Sequence, residues 1–208
     1  MKHTLASALF LLCLCGLPNA AEARVSRRVI RREAIQERLE AGQRAPYLRT
    51  ASYARLYDND AFGFTLRFPS EWTAEELGET QGAITTVVLF LSPLEGEGDA
   101  SRENINLVTE DVPPSVTAGD YAEAAIAQQR RLFDGFTLLH SRPLSFGGLP
   151  GHGIAFEAAF GGKRLIFEQA WIQRHGTMYV WTLAAPATTI DRYSLVFHDL
   201  LSTFTFNG

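Results

Sequence analysis

Residues 154–171 alternate so regularly that few folds stay open to this chain. Ile154, Phe156, Ala158 and Phe160 recur at every second position, Gly161–Gly162 follows, and Leu165, Phe167 and Trp171 answer on the far side. A period of two belongs to a half-buried strand. Two glycines between such runs supply the positive φ angles of a two-residue hairpin turn, so the two strands are antiparallel neighbours. Thr137–Phe146 leads into this pair through the turn residues Gly147–Gly148–Leu149–Pro150–Gly151, and His175–Gly176 turns out of it into Thr177–Ala184. The centre of the chain is therefore a meander.

Upstream, Phe62, Phe64, Leu66 and Phe68 alternate in a further strand, opened by the turn residues Asp58–Asn59–Asp60 and closed by Pro69–Ser70–Glu71–Trp72. Thr85 to Leu91, within Ala83–Ser92, is a β-rich stretch buried on both faces, and Ile105, Leu107 and Thr109 mark a strand over Glu103–Glu110. Thr117-x-x-Asp120 has the spacing of a capping box and starts a helix through about Phe133, with Tyr121, Ala125 and Leu132 at helical period. Ile190, Tyr193, Phe197, Leu200 and Phe204 recur at +3, +4, +3 and +4, which predicts a second helix capped by Thr188 or Thr189. Seven or so strands with one central and one terminal helix give an α+β fold class: an antiparallel β-sheet meander packed by helices.

The two ends of the chain differ in charge. Residues 24–55 hold nine Arg and three Glu, a net of +6, whereas residues 56–208 hold nine Lys plus Arg and nineteen Asp plus Glu, a net of −10. The total of −4 over 208 residues averages the two, and with 46% hydrophobic residues the composition excludes wholesale disorder, collagen and coiled coil. Ahead of both segments, Met1–Lys2–His3 precedes an apolar run from Leu5 to Leu17, and Ala21–Glu22–Ala23 is an A-x-A cleavage signal. That is the layout of a secretory signal peptide, and thirteen apolar residues are too few for a bilayer span of about 20. The expected organisation is a signal peptide over 1–23, a basic, partly helical arm over 24–55 and a folded domain over 56–208. Both cysteines, Cys13 and Cys15, leave with the leader. The expected product is exported, periplasmic or extracellular, and soluble after cleavage near Ala23.

Four histidines remain after cleavage, His140, His152, His175 and His198, none in an H-x-x-x-H or H-E-x-x-H arrangement. Without cysteine, thiol catalysis, Cys-zinc sites and iron–sulfur clusters are excluded. No G-x-S-x-G elbow occurs, and Ser194 and His198 stand simply at i,i+4 on the last helix. Gly147–Gly148 and Gly151-x-Gly153 join strand to strand, so they do not set a phosphate on a helix N-terminus. Glu95, Glu97 and Asp99 share a loop that lacks the EF-hand spacing. No catalytic, cofactor-binding or metal-ligating residue is assigned, and no cofactor is expected. The one candidate binding element is the segment SRRVIRREAIQERLEA at 26–41, a helix with a thin apolar stripe. There Arg27, Arg28, Arg31 and Arg32 are the candidate partner-binding residues, toward an acidic protein or an anionic membrane surface. A solvated, partly frayed leader, or a helix docked on the chain's own acidic body, is the plainer reading. Nucleic acid is a poor partner for so acidic a domain.

One pattern is more specific than the rest. Tyr57–Asp58 followed by Phe62–Gly63–Phe64–Thr65–Leu66–Arg67–Phe68–Pro69–Ser70–Glu71–Trp72 resembles the opening of the PsbP-like proteins. The likeness continues through Asn104–Ile105–Asn106, the Thr117–Asp120–Tyr121 helix, Leu149–Pro150–Gly151 and Ser202–Thr203–Phe204, and covers about residues 57–206. The group is also similar to DcrB-type periplasmic proteins and to the yeast Ran-binding protein that shares its α/β/α sandwich. The resemblance implies such a sandwich and a non-enzymatic domain used for protein contact, assembly or chaperoning. Plant and cyanobacterial members of the family assist the oxygen-evolving photosystem. No family metal ligand carries over, and the arm at 24–55 has no family counterpart. The expected function is that of an exported, non-enzymatic accessory protein of the cell envelope that binds or assists another protein. A small-molecule or lipid carrier, with a pocket between sheet and helix, is the first alternative. A hydrolase is the second, and it requires a Ser or carboxylate near a His in a cleft.

Overall fold

The computed structural model describes residues 54–94 and 102–208. The signal peptide, the arm with Arg27, Arg28, Arg31 and Arg32, and the acidic loop at Glu95, Glu97 and Asp99 lie outside the described residues.

Ten strands and two helices follow one another in the described residues: β1 (Ala54–Asn59), β2 (Phe64–Pro69), β3 (Thr73–Gln81), β4 (Ile84–Leu91), β5 (Asn104–Asp111), α1 (Ala118–Leu132), β6 (Thr137–Phe146), β7 (Leu149–Phe160), β8 (Lys163–Arg174), β9 (Thr177–Pro186), α2 (Ile190–Thr203) and β10 (Thr205–Phe206). They form two antiparallel sheets, a large one in the order β3-β4-β5-β9-β8-β7-β6 and a small one in the order β1-β2-β10. The meander expected from the alternation is β6 to β9. Its hairpin turn at Gly161–Gly162 has φ of 58° and 77°, the left-handed values that favour glycine.

The large sheet uses its pleat to serve two cores. Phe156, Phe167, Trp171 and Val180 point to one face, where Tyr121 and Ala122 of α1 close over them. Ile166, Ile172, Trp181 and Leu183 point to the other, against Phe64, Leu66 and Phe68 of β2 and Tyr193, Phe197 and Leu200 of α2. The layers are therefore helix, sheet, and a mixed layer of helix and small sheet. Trp72 is a core anchor as expected, 3% exposed with its ring centroid 5.9 Å from that of Tyr193. The capping box also forms as its spacing predicts: Asp120 N donates to Thr117 Oγ1 at 3.1 Å and Thr117 N to Asp120 Oδ2 at 3.1 Å.

Among the described residues the structure departs from the sequence reading in several places. The strands number ten rather than seven or so, in two sheets rather than one, because β2 pairs with β10 across 140 residues, a separation that no local pattern reports. β3 is a strand despite its glutamates, since it lies at the sheet edge, bonded to β4 on one side with most side chains exposed. The turn before β7 is only Gly147–Gly148, so Leu149–Pro150–Gly151 already belongs to the strand. Thr189 occupies the N-cap of α2 without a side-chain cap bond; its hydroxyl donates to Glu103 Oε1 at 3.1 Å instead. The first strand begins at Ala54, two residues ahead of the domain start read from the sequence.

Candidate functional site

Two clusters carry chemistry. The first lies between α2 and the large sheet. Glu168 faces the helix from β8, and its Oε2 stands 3.2 Å from His198 Nε2, with the two side chains 13% and 27% exposed. Burial alone raises a carboxyl pKa, but the His198 bond, a Ser194 hydroxyl bond and the charge of His140 outweigh it and hold Glu168 below the ordinary carboxylate value. Ser194 and His198 are one turn apart on α2, so both reach the same carboxylate. This is proximity of Ser, His and Glu without triad geometry. In a triad the serine hydroxyl gives its proton to the imidazole and the acid orients that imidazole. Here the serine gives its hydrogen bond to the acid, and it is 7% exposed. The arrangement holds a carboxylate charge and prepares no nucleophile.

The carrier alternative concerns the space between sheet and helices. On the α1 side the interlayer space is filled by rings: Phe156 and Phe167 stack at 4.8 Å and 10°, and Phe133 lies 5.7 and 5.3 Å from them. On the other side Phe64, Trp181 and Phe204 pack with centroids 5.2 to 6.3 Å apart. These aromatic side chains pack against one another as core.

The second cluster is at the surface. At one end of the sheet, the β6–β7 turn, the β8–β9 turn and β10 enclose an open depression of about 380 Å³ lined by Gly147, Leu149, Gln173, Arg174, His175 and Phe206. Arg174 is its organising group. The guanidinium carbon lies 4.5 Å from the Phe206 ring centroid, and Nη1 and Nη2 both donate to the Asn207 carbonyl at 3.2 Å. Phe206 is itself braced edge-on by Tyr179 at 5.0 Å and Phe204 at 4.9 Å. Gly147 makes this possible: a Cβ there would lie 2.8 Å from the Phe204 ring, so only glycine lets the turn close down on it. His175 has φ of 53°, left-handed, and Gly176 follows at 85°, which makes the β8–β9 connection a tight two-residue turn with the imidazole at the rim.

The histidines thus part company. His198 holds Glu168, His175 rims the depression, and His152 Nε2 lies 2.8 Å from Ser141 Oγ with its pKa lowered by burial, partly opposed by Glu123. Among the described residues, no three His, Cys, Asp or Glu side chains converge to hold a metal ion. Among the same residues no helix is long and apolar enough to cross a membrane. The sequence singled out neither Arg174 nor Phe206. The +2 spacing of Phe204 and Phe206 after the last helix was the visible signal, but its partner lies on another hairpin.

No protein-family model and no curated protein sequence matches the chain. Solved structures do. PsbP (CyanoP) of the cyanobacterium Synechocystis superposes with a TM-score of 0.55 at 14% identity, covering 76% of this chain and 94% of that one. A Pseudomonas aeruginosa protein of unknown function gives 0.52 at 17% identity, over 73% and 95% of the two chains. LpqN of Mycobacterium tuberculosis, involved in cell envelope biogenesis, gives 0.50 at 14% identity, over 79% and 96%. The fold is PsbP-like, an α+β sandwich of antiparallel sheet and helices, as the sequence pattern implied.

Proposed function

From a domain with the PsbP-like fold, we propose that this protein is an exported, non-catalytic accessory protein of the cell envelope that binds and assists another protein. The observation that carries the reading is the Arg174–Phe206 depression. It is open, mostly apolar and built from three separate parts of the chain, and an arginine stacked on an aromatic ring is a common anchor at protein contacts. The leader pattern at 1–23 supports export, and LpqN, which shares the fold, is involved in cell envelope biogenesis. Arg27, Arg28, Arg31 and Arg32 add a charge-driven contact to an acidic surface of the partner or to anionic envelope lipid. The polar cluster at Glu168 supports a non-catalytic role, since its serine and histidine are both committed to one carboxylate.

The test is site-specific crosslinking in producing cells, with a photoreactive residue at position 149 or 175. A discrete adduct in the envelope fraction, lost on Arg174→Gln, is the expected result, together with a protein mass that begins at Arg24. Crosslinks that are absent, or unchanged by the substitution, overturn the binding role; retention of the leader in the cytoplasm overturns export.

A further inference from the structure

We infer that the Arg174 depression is a carboxylate receptor, and that its occupant is the C-terminal carboxylate of a peptide ending in an apolar residue. The inference rests on the binding role proposed above and names the chemistry of the partner.

Charge comes first. The domain is strongly acidic, with nineteen Asp plus Glu over residues 56–208, yet the depression is lined by an arginine and a histidine and by no carboxylate. A local cationic concavity on an acidic body selects anions by exclusion of cations as well as by attraction.

Geometry comes second. A guanidinium has five N–H donors in a rigid fork, and the Asn207 carbonyl engages one on each of Nη1 and Nη2. The remaining donors belong to a group whose plane is already set by Phe206 below it and Asn207 beside it. A preset fork loses little rotamer freedom when a carboxylate docks, which favours bidentate recognition over a lone lysine-like contact. His175 adds a ring N–H donor at the rim, held there by its turn rather than by its own side-chain packing.

The apolar half specifies the rest. Leu149 and Phe206 line the depression, and about 380 Å³ lies within the roughly 300–1,000 Å³ of small-ligand sites. An acidic group on Arg174 therefore brings an apolar side chain against Leu149 and Phe206. A peptide is favoured over a free fatty acid because the two-residue strand β10 is the edge strand of the small sheet, beside which an extended main chain leaving the depression can run. Arg174 already binds one peptide carbonyl, that of Asn207, in the same plane.

Calorimetric titration of the purified protein with acetyl-Ala-Phe-Leu as the free acid, with its C-terminal amide, and with octanoate tests this. The acid is expected to bind at least about tenfold more tightly than the amide, the loss of one charge-assisted bond. Octanoate is expected to bind more weakly than the peptide acid. Arg174→Gln is expected to abolish the preference for acid over amide, and Arg174→Lys to restore only part of it. His175→Asn, which keeps a residue tolerant of the left-handed turn, is expected to weaken the acid without lowering the melting temperature. Equal affinity for acid and amide in the wild-type protein overturns the inference without recourse to any variant, as does absence of binding. Octanoate binding as tightly as the peptide overturns the choice of a peptide. If the crosslinked envelope partner persists while these peptides fail, the binding role survives and only its carboxylate chemistry is lost.

Discussion

His198 Nε2 stands 3.2 Å from Glu168 Oε2, so the terminal helix and the central sheet are joined by a side-chain contact that the core largely shields from water. The Ser194 hydroxyl and the charge of His140 assist it, and together with His198 they overcome the burial that on its own raises the Glu168 pKa.

The pair makes the fold acid-sensitive in a defined direction. A carboxyl whose folded pKa is depressed stabilises the fold fully above its ordinary value of 4.5 and loses that contribution as pH falls through the lower folded value. Glu168→Gln is expected to cost about 1–3 kcal/mol at about pH 7 and progressively less toward about pH 3. Urea midpoints across that range measure it. A loss of the same size at both ends means that Glu168 is not the ionised partner of His198.

Glu110 behaves in the opposite sense. It is 4% exposed under α1, its pKa raised by burial, while a 2.5 Å bond from the Tyr121 hydroxyl works to lower it. Tyr121→Phe removes that donor and leaves a buried carboxyl with a still higher pKa. Its cost therefore grows as pH rises through that raised value. The expected loss is about 1–3 kcal/mol at about pH 7 and less near about pH 4, where the carboxyl is protonated in both proteins. Thermal melts at the two pH values decide it; a larger loss at the acid end refutes the account.

How much of this was legible in the sequence depends on the range of the interaction. The capping box at Thr117 and Asp120 and the stripe from Ile190 to Leu200 are local, and both helices form where the pattern puts them. The hairpin at Gly161–Gly162 is likewise a property of adjacent residues. β3 escaped because Glu75, Glu76 and Glu79 are poor strand formers, and main-chain pairing to β4 overrides them at an exposed edge. Ser194 and His198 were visible as an i,i+4 pair, but Glu168 meets them only once β8 is laid under the helix. The depression is the least legible feature. Gly147, Arg174 and Phe206 come from three connections that only the closed topology brings together.

Two glycines of one strand provide a matched test of packing. A Cβ on Gly151 would lie 2.5 Å from the Trp171 carbonyl oxygen, which is backbone in the paired strand and has nowhere to go. A Cβ on Gly153 would lie equally close to Leu144 Cδ2, the far end of a flexible side chain. Gly151→Ala is therefore expected near the upper end of about 1–3 kcal/mol, and Gly153→Ala near the lower end. Chemical denaturation of the two variants compares them directly. A Gly153→Ala cost that equals or exceeds the other shows that Leu144 is held as firmly as the backbone.

The first described strand, β1, starts at Ala54, which pairs with Pro69 of β2, and the basic segment precedes it in the sequence. Its eight arginines and three glutamates over residues 24–53 make any contact it forms a matter of charge, and exposed charge is screened beyond about 10 Å at 0.1 M salt. A protein that begins at Arg24 is expected to co-sediment with phosphatidylglycerol vesicles at low salt and to be released at about 0.5 M. Removing residues 24–53 is expected to abolish sedimentation and leave the melting temperature unchanged. A neutral replacement of Arg27, Arg28, Arg31 and Arg32 with glutamine is expected to reproduce most of the effect. If the truncated protein sediments as well as the intact one, the attraction resides in the domain. If it melts several degrees lower, the segment is docked on the acidic body instead of reaching outward.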